Sequence, residues 1–138
     1  VQPNVHDYIM GHLENAVYLN EGFLRSAWNG LPASFVPSDV IRTVLGQAGL
    51  DPNKPVVIYS GAGRYSRCAA GLGDGLEQTM MAYSLIRFGH NKVFILDGGI
   101  EKWKDEGREL TKVFPSWMPT DFKIDVRKNY FIEYDEFK

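Results

Sequence analysis

Cysteine is nearly absent from this chain: Cys68 stands alone among 138 residues. That count excludes an internal disulfide framework and any metal site built from several thiolates. Imidazole is almost as scarce, with His6, His12 and His90 as the whole supply. No apolar run approaches the ~20 residues that a bilayer-spanning helix needs. Charge of one sign is missing too: the formal net charge is −2, which provides no electrostatic footprint for nucleic acid. Internal repeats and low-complexity runs are absent. What remains is one domain's worth of sequence, long enough to bury a core. The low cysteine count suits a reducing compartment without establishing one. Because the sequence starts at Val1 rather than Met, removal of a leading segment stays open, and cytoplasmic and periplasmic addresses both stand.

Among what is present, Val56-Val57-Ile58-Tyr59-Ser60-Gly61-Ala62-Gly63-Arg64 says most. Its apolar run suits a parallel strand covered on both faces. Ligands in open α/β sheets sit just beyond the carboxyl ends of such strands, so Ser60 occupies the position where chemistry is expected. Gly61 and Gly63 allow successive backbone N–H groups to converge on an anion. Arg64 and Arg67 supply paired N–H donors suited to the same purpose, although two solvated loop arginines would look no different.

Local patterns place the other elements. Ala16–Leu19 reads as a short strand, and 23–35 as a loop-rich crossover. Pro37-Ser38-Asp39 opens a helix in which Ser38 suits the N-cap. Val40, Ile41, Val44, Leu45 and Ala48 share one face of it, and Gly49 stops it. A turn over 51–55 feeds the 56–59 strand. A second helix is expected from Leu76 to Arg87, its apolar Met80, Met81, Tyr83, Leu85 and Ile86 being ordinary core material. The glycine-rich 61–75 stretch before it does not match a phosphate loop, since no Gly-Lys-Ser/Thr follows. Val93–Leu96 is a strand, Asp97 an N-cap, and Ile100–Glu106 a helix. Two prolines exclude a helix over 114–119. Phe122–Val126 alternates like a half-buried extended segment.

Three stretches taken together resemble the rhodanese (thiosulfate sulfurtransferase) domain family over nearly the whole chain. They are the 56–64 strand and loop, the run from Arg87 through Phe88-Gly89-His90 to Leu96-Asp97-Gly98-Gly99-Ile100 and Trp103, and Asp7-Tyr8…Gly11-His12…Ala16-Val17. The Phe88-Gly89-His90 wording is most like the N-terminal half of tandem sulfurtransferases. The resemblance implies an α/β fold: a central, mainly parallel sheet flanked by helices on both faces. It also implies an organisation with a rhodanese-like domain over 1–112, its first strand truncated at Val1-Gln2-Pro3. An interdomain linker over 113–129 and the start of a second rhodanese-like domain over 130–138 would follow. His12 becomes a hydrogen-bonded structural histidine of the Gly-His turn. The implied reaction transfers sulfane sulfur from thiosulfate or mercaptopyruvate to a thiophilic acceptor. No cofactor, metal, nucleic acid or membrane is called for.

The chain departs from the family pattern at its centre. Where Ser60 stands, the family carries the cysteine that becomes a persulfide, and the loop to the following helix is longer than in compact single-domain members. A thiolate accepts sulfur because its pKa falls to between roughly 3.5 and 7.5 beside converging amides; a serine hydroxyl makes no such shift and forms no S–S bond. Acting as a hydrolytic nucleophile, Ser60 would need a neighbouring, oriented base. Three readings follow: a non-catalytic N-terminal domain of a two-domain sulfurtransferase, an active domain using Cys68 beside Arg64 and Arg67, and a regulatory or binding module without catalysis.

Overall fold

A computed structural model of the chain describes residues 1–28, 30–61, 76–132 and 134–138. Helix α1 (Val5–Met10) follows a buried start, and Asn4 caps it by accepting from the Asp7 N–H at 3.1 Å. A 3₁₀ turn over Glu21–Leu24 leads into β1 (Arg25–Trp28) and β2 (Leu31–Phe35), an antiparallel pair. Then come α2 (Ser38–Gln47), β3 (Val56–Ile58), α3 (Leu76–Arg87), β4 (Val93–Ile95) and α4 (Gly99–Asp105). A 3₁₀ turn over Lys128–Tyr130 precedes the single turn α5 (Tyr134–Phe137).

β3 and β4 are parallel, pairing Val56 with Val93, Val57 with Phe94 and Ile58 with Ile95. The ladder continues on the other side of β3. Val1 N donates to Val57 O at 2.6 Å and Tyr59 N donates to Val1 O at 3.1 Å. Beyond Gln2, the Gln2 N–H bonds Val17 O at 2.9 Å and the Leu19 N–H bonds Gln2 O at 3.2 Å. Four chain segments therefore run parallel in the order 17–19, 1–2, β3, β4, as the α/β expectation requires. Parallel neighbours need a long crossover, and α3 lies within the one joining β3 to β4.

Several local readings need correction. The Ala16–Leu19 strand reduces to an isolated bridge at Tyr18. The 23–35 stretch holds the β1–β2 hairpin rather than a loop-rich crossover; the Asn29-Gly30 pair was the hairpin signal, and Gly30 has φ 78°. Ser38 is the first helical residue, and Pro37 stands at the N-cap with no side-chain hydrogen bond. Asp97 does not cap α4 either. Gly98 holds that place in the left-handed region, while Asp97 pairs with Lys102 at 3.1 Å. Nor is β3 covered on both faces: Val56 and Ile58 are buried, but Val57 is 45% exposed.

The main core gathers Leu24, Ile41, Leu45, Ile58, Met81, Leu85, Phe88 and Phe122. Phe122, fully buried, comes from the 113–129 stretch, which is extended and strapped along the domain. Thr120 N bonds Gly46 O at 3.0 Å, Asp125 N bonds Phe88 O at 3.1 Å, and Arg127 N bonds Arg87 O at 2.8 Å. The strap can come this close because residue 46 is glycine: a β-carbon there would lie 2.5 Å from Thr120 O. After the strap, the Arg87 guanidinium stacks 3.5 Å from the centre of the Phe131 ring. None of the described helices is long and apolar enough to cross a membrane.

Candidate functional site

The carboxyl ends of the parallel segments collect polar side chains. Asn4 follows the first segment, Asn20 and Glu21 follow the 17–19 segment, and Ser60 and Gly61 follow β3. Ser60 is 5% exposed. Its carbonyl oxygen accepts from Ile100 N at 3.0 Å, which fastens the β3 exit to the start of α4. Gly99 makes this junction possible. Its φ is 53°, in the left-handed region, and a β-carbon there would collide with the Ser60 carbonyl oxygen.

Asp7 reaches this junction from α1. A β-carbon at Gly61 would lie 2.5 Å from Asp7 Oδ2 and 3.1 Å from Ile100 Cγ2. The Asp7 carboxyl is therefore packed against the backbone of the residue after Ser60. Burial raises its pKa above the usual carboxylate range and the Glu101 charge adds to the rise, while Lys104, His6 and the Gly61 N–H pull the other way. Glu77, on the first turn of α3, is also raised by burial, with the Asp7 charge contributing and an Asn4 hydrogen bond opposing. Glu21 is held differently, accepting from Arg25 Nε at 2.5 Å and from Ser84 Oγ at 3.1 Å.

None of the three histidines is seen to serve Ser60. His12 is fully buried, its Nδ1 2.8 Å from Tyr8 O and its Nε2 3.1 Å from Val113 O, with Tyr8 stacked at 4.0 Å. It is the hydrogen-bonded structural residue that the Gly-His turn implied. His90 lies at the opposite end of the sheet, where its Nδ1 accepts from Lys92 N at 3.3 Å. Burial pushes its pKa down, Arg127 adds to the fall, and Asp51 opposes it. His6 is exposed on α1. A groove of about 330 Å³ lined by Val1, Val17, Leu50, Val57, Tyr59 and His90 does not include Ser60 in its lining.

Of the residues singled out in the sequence, Ser60 and Gly61 are brought together with α4. Gly63, Arg64, Arg67 and Cys68 lie outside the described residues. Asp7, Asn4 and Glu77 were missed. The Asn4-x-x-Asp7 spacing is an N-cap signal, but nothing local tells that Asp7 would turn toward Gly61.

The model of the rhodanese-like domain matches residues 3–106. The chain belongs to the rhodanese-like domain family. A Synechococcus elongatus protein provisionally named a thiosulfate sulfurtransferase is 30% identical over 136 residues, which cover 93% of this chain and 39% of that protein. The mitochondrial thiosulfate/3-mercaptopyruvate sulfurtransferase 1 of Arabidopsis thaliana is 23% identical over 77% of this chain and 25% of its own length. Among solved structures, the 3-mercaptopyruvate sulfotransferase SseA of Escherichia coli superposes with a TM-score of 0.78 at 19% identity, over 97% of this chain and 47% of that one. The anaerobic ergothioneine biosynthesis enzyme of Chlorobium limicola, in complex with trimethyl histidine, gives 0.75 at 21% identity, over 96% and 32%. The likeness to SseA establishes the rhodanese fold. The chain thus spans less than half the length of each of these proteins.

Proposed function

We propose that this rhodanese-like chain is the N-terminal, non-catalytic domain of a two-domain sulfurtransferase that moves sulfane sulfur from thiosulfate or mercaptopyruvate to a thiophilic acceptor. The observation that carries the reading is Ser60 itself, directly off the carboxyl end of β3. A hydroxyl at that place cannot accept sulfane sulfur, because the reaction needs a thiolate to form and later release an S–S bond. The reactive cysteine would then belong to a second rhodanese-like domain, and the polar carboxyl edge around Ser60 would form one wall of the cleft between the two. Supporting this, Ile132 is 58% and Phe137 74% exposed, an apolar tail suited to packing against a further domain.

The test is sulfur transfer from thiosulfate to cyanide, read as thiocyanate. Residues 1–138 alone should show no turnover above background, and the natural full-length protein should be active. Turnover by the isolated domain that disappears in Cys68→Ala would overturn the reading and make Cys68 the persulfide carrier. An inactive full-length protein with no cysteine-headed second domain would instead identify a binding module.

A further inference from the structure

The first backbone amide beyond Ser60 already has a carboxyl group beside it. Among the described residues, Asp7 Oδ2 is buried without a well-formed hydrogen bond, yet it presses on Gly61, whose N–H favours its charged form. Asn4 sets the helix turn that aims the carboxyl there. Asp7 also lines a cavity of about 170 Å³ with Met10, Ile100, Glu101 and Lys104.

We propose that Asp7 is a specificity-determining residue that substitutes for a bound anion at Gly61 and so excludes thiosulfate-class anions from this domain's carboxyl edge. The inference deepens the proposed function, resting on it for the identity of the donor. An incoming dianion would have to displace the carboxylate or sit beside it against like charge. Glu77, facing the same region from α3, adds negative charge. Among the described residues, the groups acting on Asp7 are His6 on its own helix, Glu101 and Lys104 on α4, Glu77 on α3, and the Gly61 N–H. Protonating Asp7 removes its charge and leaves the amide available, so anion binding should strengthen as pH falls.

Sulfate and thiosulfate are the probes, titrated into the 138-residue chain while the Gly61 amide resonance is followed by NMR. The wild type should show no saturable shift at neutral pH and a growing one in mild acid. Asp7→Asn should bind sulfate at neutral pH at least about tenfold more tightly, the effect expected for removing one like charge at contact distance. It should also lose the Asp7-linked acid enhancement. Asp7→Ser gives the same comparison should Asp7→Asn fail to fold. Equal sulfate binding by wild type and variants, or an unchanged pH profile, would overturn the proposal. Sulfate donates no sulfur, so this result and the thiocyanate assay fail independently.

Discussion

The two ends of β3 are built from opposite materials. Against one face of β3, α2, α3 and the strap pack Ile41, Leu45, Met81, Leu85 and Phe122, with the buried, titratable His90 beside Phe122 towards the start of β4. Where β3 ends, Asn4, Glu21 and Ser60 are buried, and Asp7 and Glu77 half-buried, around a backbone junction. Apolar burial is non-directional and accepts any well-filled arrangement. Polar burial needs a partner placed for each atom. The first end can therefore be closed by a distant strap, whereas the second depends on individual contacts such as Ile100 N to Ser60 O.

The largest expected effect falls on the apolar end. Phe122→Ala should destabilise the chain by about 3–5 kcal/mol, the range for removing a buried phenyl group. Urea unfolding monitored by circular dichroism measures it. A loss below about 1 kcal/mol, the ordinary range for exposed sites, would mean that the strap is not part of the core. At the polar end, Gly99→Ala should destabilise by about 1–3 kcal/mol, since residue 99 needs a positive φ and has no room for a β-carbon. The same unfolding measurement decides it, and an unperturbed variant would show that the junction can relax.

Protons sharpen the contrast, because the two ends respond with opposite sign. The raised pKa values of Asp7 and Glu77 mean that the folded state holds protons the unfolded chain has released. Their contribution is most favourable below the ordinary carboxyl range of about 4, and declines as pH rises toward the folded values. His90 is lowered, so the unfolded chain takes up its proton first; its contribution is present above about 6.5 and falls as pH drops toward the folded value. Asp7→Asn should therefore remove a stability loss with rising pH, and His90→Gln a stability loss with falling pH. Unfolding free energies measured across mild acid would separate them; slopes of the same sign would contradict the comparison. The smallest effect belongs to neither end. Arg42 and Asp121 form an exposed ion pair, and Arg42→Ala should cost less than about 1 kcal/mol in the same assay.

Legibility followed the same divide. α3 runs from Leu76 to Arg87 as read, since apolar periodicity and the following Gly89 are local signals. The β3 and β4 strands and the place of Ser60 were legible for a similar reason, since a short apolar run followed by glycine marks a strand and its exit; their parallel arrangement was expected only from the family resemblance. The β1–β2 hairpin was missed because 23–35 read as a loop-rich crossover, although Asn29-Gly30 is a hairpin signal. The exposure of Val57 was missed because an apolar run does not say which face is covered. Phe122 read as half-buried, although its full burial depends on α2 and α3 lying beneath it.

For this protein, local pattern was enough for the helix over Leu76–Arg87, and the motifs that resemble the rhodanese family were enough for the α/β class and for a hydroxyl where the family carries a thiol. Those features depend on residues close in the chain, or on the identity of a single residue. Contacts between distant segments were of another kind: Phe122 sealing the core, Gly99 admitting the Ser60 carbonyl, Asp7 resting on Gly61. Each pairs groups whose separate patterns carry no record of one another, so their meeting was settled only when the intervening chain folded and brought the surfaces into register.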